Sequence, residues 1–293
     1  MVVLLFALAL AATGPFAFGA DDAAYRASVE KWRADYEADL KSDHGWLSIA
    51  GLFWLHEGEN KFGSDPTNDV VLPEGAAPAE AGVFELRAGK ITARLNPGVA
   101  ATMDGKPVET SELVPDSRSA RLQLGRLSLW VHASGGRFAI RMRDPESPLR
   151  RDFRGLNWFP VDESYRVIAR YVPYDKPKQV PIQNLAGDSL ALPISGYVVF
   201  TLRGAEYRLE AESDEQGELS FVFRDLTSGK ETYGASRFLD TDPVKNGEVV
   251  LDFNEAYNPP CAYNPFTTCP LPPPENRLHV RIEAGEKNYH AHP

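Results

Sequence analysis

Between Asp22 and Lys41 apolar positions recur every three or four residues, at Tyr25, Val29, Trp32, Tyr36 and Leu40, with charged residues between them. That period predicts one amphipathic helix whose single apolar stripe packs on a sheet. After His44-Gly45, the run Trp46–Leu55 is dense in apolar groups and punctuated by glycine, which reads as buried strand and turn. From there onward the chain shows short alternating runs separated by Gly, Pro, Asn and Asp, the pattern of antiparallel sheet. Strands are expected at Gly82–Arg87, Lys90–Asn96, Arg126–His132, Arg137–Arg143, Tyr165–Val172, Gly196–Leu202, Tyr207–Glu212, Glu218–Arg224, Glu248–Phe253 and Leu278–Glu283. The fold class is therefore mainly β, with antiparallel sandwich or barrel-like sheets and one N-terminal amphipathic helix. The polar stretch Glu109–Ala120 is the expected division between residues 20–115, helix plus β, and residues 116–293, a second β domain.

One hairpin is legible residue by residue. Gly135-Gly136 is a two-residue turn signal, and it sets Ser134 opposite Arg137, His132 opposite Ala139, Trp130 opposite Arg141 and Ser128 opposite Arg143. Leu129, Val131, Phe138, Ile140 and Met142 then form the core face, while Trp130, His132, Arg141 and Arg143 share the other. Trp130 and Arg141 are placed for a cation–π contact of roughly 0.5–1 kcal/mol. Residues 137–154 carry six arginines against three acids, within a protein of formal charge −10. An anionic ligand at Trp130 and Arg141 is one reading; ion pairing with Asp144, Asp152 and other acids is the commoner use of such arginines.

The overall acidity argues against general nucleic-acid binding, which needs a surplus of Lys and Arg on one face. Residues 1–12 form an apolar run too short to span a bilayer, and Ala17-Phe18-Gly19 supplies small residues for a cleavage site. Residues 1–19 are thus expected to be an export signal, placing the protein outside the cytoplasm, secreted or periplasmic, with no transmembrane segment after its removal. No Cys follows the run, so a lipid anchor is not expected there. In an exported protein Cys261 and Cys269 are expected to pair, with a reactive thiol or a metal ligand as the alternatives. Closing so short a ring stabilises by roughly 2.5 kcal/mol.

Both cysteines lie in Leu251–Leu278, which also holds seven prolines and four asparagines. Proline fixes φ and removes a donor, and asparagine supports turns, so an irregular segment is being held rigid there. Such rigidity suits a binding surface, a catalytic surface or a structural clasp.

Phe221–Phe238, with Asp225, Tyr233 and Arg237, is followed by Leu251–Tyr263 and by Cys269-Pro-Leu-Pro-Pro-Pro-Glu275-Asn276-Arg277-Leu. Together with Gly45-Trp46-Leu47 and Arg143-Asp144-Pro145, these segments resemble the bacterial family known as domain of unknown function 1684. The resemblance extends over nearly the whole chain after the apolar run; it implies export and no mechanism. Phe62–Pro73 is similar to the early strands of forkhead-associated domains. Ser64 and the run Ala76–Ala81 stand where those domains place their phosphothreonine-reading arginine and Ser-Arg-x-x-His block, so what the similarity implies is a β-sandwich scaffold.

Nucleophile-elbow, zincin, phosphate-loop and dinucleotide signatures are absent. His44, His56, His132 and His279 lack metal-ligand spacing, His290 and His292 fall at the C-terminus, and no metal or cofactor is implied. Two functional readings follow. In the first, Tyr233, Asn254, Tyr257, Asn258, Tyr263, Asn276 and Arg277 present amides and aromatic faces to a small polar ligand, a saccharide, peptide or envelope component. In the second, Asp252, Glu255 or Glu275 supplies acid–base chemistry for a hydrolase while Arg237 or Arg277 stabilises developing negative charge. The hydrolase reading requires two carboxyl groups among Asp225, Asp252, Glu255 and Glu275 to meet in one concave site. A structural reading instead has Asp225, Arg237, Asp252 and Arg277 clamp the loop to the sheet. Oligomeric state is left open.

Overall fold

A computed structural model describes residues 22–116 and 120–289. The expected export signal and His290 and His292 lie outside the described residues. The helix forms as its period predicts, α1 (Asp22–Leu40), with Val29 and Leu40 fully enclosed. Eleven strands follow: β1 (Ile49–Trp54), β2 (Gly58–Gly63), β3 (Val70–Val71), β4 (Gly82–Arg87), β5 (Lys90–Leu95), β6 (Thr102–Met103), β7 (Lys106–Pro107), β8 (Thr110–Leu113), β9 (Leu122–Leu124), β10 (Leu127–Ser134) and β11 (Arg137–Arg143). They make two sheets, in the orders β1-β11-β10-β9-β6-β7 and β3-β2-β4-β5-β8. One core joins the sheets into a sandwich, with Phe62 and Phe84 from one meeting Leu129, Val131, Ile140 and Met142 from the other.

The β10–β11 hairpin has the register read from sequence, from Ser134 opposite Arg137 to Ser128 opposite Arg143. Gly135 and Gly136 both have positive φ, 57° and 76°, which a two-residue turn matching strand twist requires. A short helix α2 (Pro148–Arg151) then leads to the third sheet. Its strands are β12 (Arg166–Gln183), β13 (Ser189–Leu202), β14 (Ala205–Ser213), β15 (Leu219–Phe223), β16 (Arg237–Asp240) and β17 (Glu248–Asp252), in the order β16-β15-β14-β13-β12-β17. Val198, Phe200, Leu209, Phe221, Phe223, Leu251 and Phe253 form its core.

Three expectations are corrected. The division at Glu109–Ala120 falls inside the sandwich, because β8 pairs with β5 and β9–β11 share a sheet with β1. That stretch reads as polar because β8 is an edge strand that buries little beyond Leu113. The helix leans on the C-terminal half instead of its own: Arg33 Nη1 and Nη2 donate to the carbonyls of Phe159 and Asn254, both at 3.0 Å. Leu278–Glu283 buries Leu278, Val280 and Ile282 alternately but forms no strand; isolated backbone bonds to Arg224 and Leu226 hold it.

β12 also runs well past Val172, through Pro173, Pro177 and Pro181. The ladder with β17 ends at Arg170, so the prolines fall where no β17 partner needs their missing donor, and a bulge between Pro173 and Lys178 absorbs the irregularity. The resulting long hairpin reaches the sandwich. At its tip Asp188 accepts from Ser134 Oγ and Arg137 Nη2, both at 2.7 Å.

Candidate functional site

At the end of β17 the chain makes a single 3-10 turn, Phe253–Glu255, that fixes three side chains in three directions. Asp252 caps the turn, its Oδ1 accepting from the Asn254 amide at 3.0 Å. Phe253 anchors the turn in the core. The Asn254 side chain, fully buried, donates to the Asp162 carbonyl at 2.8 Å and to Tyr25 Oη at 2.9 Å, tying α1 to the turn. Glu255 is left to face a cleft of about 670 Å³ between α1 and the edge of the third sheet.

Tyr25 Oη donates to Asp252 Oδ2 at 2.7 Å and Oδ1 at 3.0 Å, and Arg166 Nε stands 3.7 Å from Oδ2. Asp252 is therefore a fixed negative charge whose acceptor sites are occupied. The Glu255 carboxyl, half-buried, has no hydrogen-bond or ion-pair partner among the described residues. Burial, helped by the charges of Asp252 and Asp242 and opposed by Arg166 and Arg33, pushes it up to about 7. Burial also raises Tyr25 above the ordinary phenol range, and the hydrogen bond to Asp252 adds to this. Six carboxylate residues line the cleft, Glu218, Asp240, Asp242, Glu248, Asp252 and Glu255, against Arg166 and Lys245. Trp32 adds an aromatic wall.

Of the four carboxyl groups weighed from sequence, Asp252 and Glu255 meet in this cleft. Asp225 and Glu275 do not. Asp225 is buried with Arg237, whose Nη1 lies 2.7 Å from Asp225 Oδ2 and 3.1 Å from the Ile282 carbonyl, while Nη2 donates to the Ala284 carbonyl. Arg237 is fully enclosed, so its expected role of stabilising developing charge is replaced by that of a buried structural pair. Glu275 and Arg277 sit exposed on another 3-10 turn.

Apart from the exposed Arg277, the loop's expected ligand-binding groups are used within the protein. Asn258 donates through its amide and Nδ2 to Glu286, at 2.8 and 2.7 Å, and Tyr263 Oη donates to Glu286 at 2.5 Å. Asn276 holds Glu210 and Val222 backbone groups, and Asn264 Nδ2 holds the Trp46 and Ile49 carbonyls at 2.9 and 2.7 Å. Tyr233 Oη donates to the Cys261 carbonyl at 3.2 Å, and Tyr257 Oη to Asp240 at 2.6 Å. A segment without a backbone ladder must satisfy its buried polar groups some other way, and asparagine side chains do it here.

The expected disulfide is not formed. Cys261 and Cys269 are free thiols, with the Cys261 amide 3.2 Å from Cys269 Sγ. The clamps just described, and not a cross-link, seat the loop. Trp130 and Arg141 lie apart from the Glu255 cleft, buried on the face of β10 and β11 turned from the sandwich core, where Thr268 of the loop bonds His132.

Sequence reasoning missed Tyr25 and Arg166 as partners of Asp252, Asp242 as a charge acting on Glu255, and Glu286 as the loop's buried anchor. Tyr25 carried a signal, being the one hydroxyl at the start of the helix stripe. The others sit in ordinary alternating or polar runs and carried none.

Among curated proteins none matches this chain. A solved structure that is similar is the solution NMR structure of the uncharacterized protein from gene locus rrnAC0354 of Haloarcula marismortui. It is 35% identical over 49% of this chain and 82% of that one, with a TM-score of 0.41. The family model described as "Protein of unknown function (DUF1684)" matches residues 151–287, a narrower span than the resemblance suggested but one that includes Asp252, Glu255 and the whole proline-rich loop. The chain belongs to the DUF1684 family.

Proposed function

We propose that the Glu255 cleft is an acid–base site that hydrolyses a neutral polar substrate of the saccharide kind. The observation that carries this reading is the Glu255 carboxyl: unpartnered, half-buried in a cleft, and held near pH 7 beside the fixed charge of Asp252. A carboxylic acid kept protonated around neutrality is a proton donor to a leaving group, and two titratable groups in unlike environments divide the roles. Burial, with the Asp252 charge adding to it, favours the protonated form of Glu255. Asp242, the other acid whose charge acts on Glu255, has a side chain without a partner among the described residues and serves as the base toward water. The excess of acids in the cleft repels an anionic substrate, while Trp32 and Tyr25 offer faces to a polyol. The expected export places the reaction outside the cytoplasm. A ligand seated on the loop's amides finds less support, because their NH2 groups already have partners.

The test is turnover on a panel of nitrophenyl glycosides and nitrophenyl esters. Wild-type protein is expected to release nitrophenol from a neutral glycoside, with a rate that falls as pH rises through about 7, where Glu255 loses its proton. Glu255→Gln lowers that rate by about 10²–10⁴. Equal rates in wild type and Glu255→Gln, or no turnover on any member of the panel, overturn the proposal.

A further inference from the structure

Of the six arginines in residues 137–154, Arg137 pairs with Asp188 at 2.7 Å, Arg150 with Asp43 at 2.6 Å and Arg151 with Asp152 at 2.9 Å. Asp144, an expected partner for this group, is taken by Arg126 at 2.8 Å. Arg154 is exposed. Arg143 donates only to neutral oxygens, Ser48 Oγ at 2.9 Å and the His44 carbonyl at 2.6 Å. Arg141 is different. It is 8% exposed, its Nε is buried without a partner, and its guanidinium makes no hydrogen bond or ion pair among the described residues.

Two more arginines gather on Trp130, the residue opposite Arg141. The cations over Trp130 are Arg121 at 4.7 Å and Arg143 at 5.4 Å, in place of the expected Arg141, and Arg121 Nε is also buried without a partner. The Arg121 charge acts against that of Arg143. His132, on the same face, hydrogen-bonds Thr268 at 3.0 Å through Nε2 and meets Asp116 at 3.3 Å through Nδ1. Burial, then the Arg141 charge, holds His132 below the ordinary imidazole range. Asp116 acts on Arg141 at longer range but is engaged with His132 and forms no ion pair with it. The Cys269 thiol, drawn down chiefly by its hydrogen bond with Cys261, also feels Arg141. An enclosed cation without a counter-ion costs several kcal/mol, and an arginine cannot shed its proton to escape that cost.

We propose that this face of the sandwich binds a small oxyanion, a phosphate, sulfate or carboxylate group. Arg141 is its principal donor and Arg121 and Arg143 are flanking charges around Trp130. The site is separate from the Glu255 cleft and does not depend on it. A guanidinium presents its donors in a planar fork that matches two oxygens of such a group.

The test uses the full chain in sodium phosphate, sulfate or acetate against chloride at matched ionic strength, with calorimetric titration and thermal unfolding. Phosphate and sulfate strengthen burial in any protein, so the reading is the difference between wild type and Arg141→Met. Wild type is expected to bind one equivalent and to gain thermal stability that Arg141→Met does not gain. Arg141→Lys keeps the charge but loses the fork and weakens binding about tenfold or more. Arg121→Gln weakens it by about three- to tenfold through lost flanking charge. Binding of the tetrahedral anions alone assigns a phosphate-type ligand, and binding of acetate alone a carboxylate. No binding heat with any of the three anions, or equal gains in wild type and Arg141→Met, overturns the proposal; the titration decides even if Arg141→Met fails to fold.

Discussion

The cleft on the third sheet and the Trp130 face of the sandwich each bury an ionisable side chain without a partner, Glu255 in one and Arg141 in the other. Their surroundings differ in sign: Asp252 and Asp242 act on Glu255 with its own sign, whereas the charges that act on Arg141, those of Asp116 and Cys269, are opposite to its own. The consequences differ because the chemistry of relief differs. A carboxylate escapes burial by taking up a proton, and Glu255 does so near neutrality. A guanidinium keeps its charge at any pH a protein survives, so Arg141 needs an anion brought to it. One arrangement makes an acid, the other a receptor.

A third buried charge sharpens the contrast, and it carries the largest expected effect. Arg237 and Asp225 have fully enclosed side chains that answer one another directly at 2.7 Å. Arg237→Met leaves Asp225 buried without its cation and is expected to cost about 3–5 kcal/mol of unfolding free energy in urea titration. Arg141→Met leaves no orphan and is expected to cost nothing, or to stabilise, in chloride. Comparable large losses for both variants would mean that Arg141 has a hidden intramolecular partner, and the distinction between paired and unpaired arginine would fail.

The next effect is a slope with pH. Burial pushes the Glu286 carboxyl from its ordinary value of 4.5 up to about 7, although Tyr263 and Asn258 donate to it. Since the folded-state pKa lies above the unfolded one, the folded chain retains a proton that the unfolded chain has released. The stability this contributes is complete below about pH 4.5 and is lost as pH rises through about 7. Glu255 acts with the same sign over the same window. Thermal midpoints are therefore expected to fall between pH 5 and pH 8. Glu286→Gln, which mimics the protonated acid, flattens that fall; Glu255→Gln flattens it less, because Glu255 is only half-buried. Unchanged slopes in both variants would show the two acids to be ionised throughout.

The same contrast explains what was legible from sequence. The hairpin register was readable because Gly135-Gly136 permits one pairing and a one-residue slip would turn Leu129, Val131 and Ile140 away from the sandwich core. The helix was readable, but not its destination, since an apolar stripe names a face and not the sheet that receives it. The proline-rich loop was recognisable as rigid. Which way Asn254, Asn258 and Asn276 point was not, because composition gives no direction to a side chain, and they turned inward to serve buried carbonyls. Asp252 and Glu255 were found because they stand beside that loop. Tyr25, more than 200 residues away, completes the site through tertiary contact alone.

The smallest effect is the control that gives the arginine comparison its force. Arg137 and Arg141 stand four residues apart on one face of β11, opposite Ser134 and Trp130 on β10. Arg137 is half exposed, pairs with Asp188 and lies 3.9 Å over the Trp54 ring. An exposed pair of this kind contributes only about 0.2–1 kcal/mol, because water screens the attraction and two long side chains lose freedom to make it. Arg137→Ala is thus expected to shift unfolding free energy by less than about 1 kcal/mol and to leave the anion response of wild type unchanged. If it abolished that response, net charge on the strand would explain anion binding. If only Arg141 variants do, burial without a partner is the property that matters, since strand, face and residue type are the same for both.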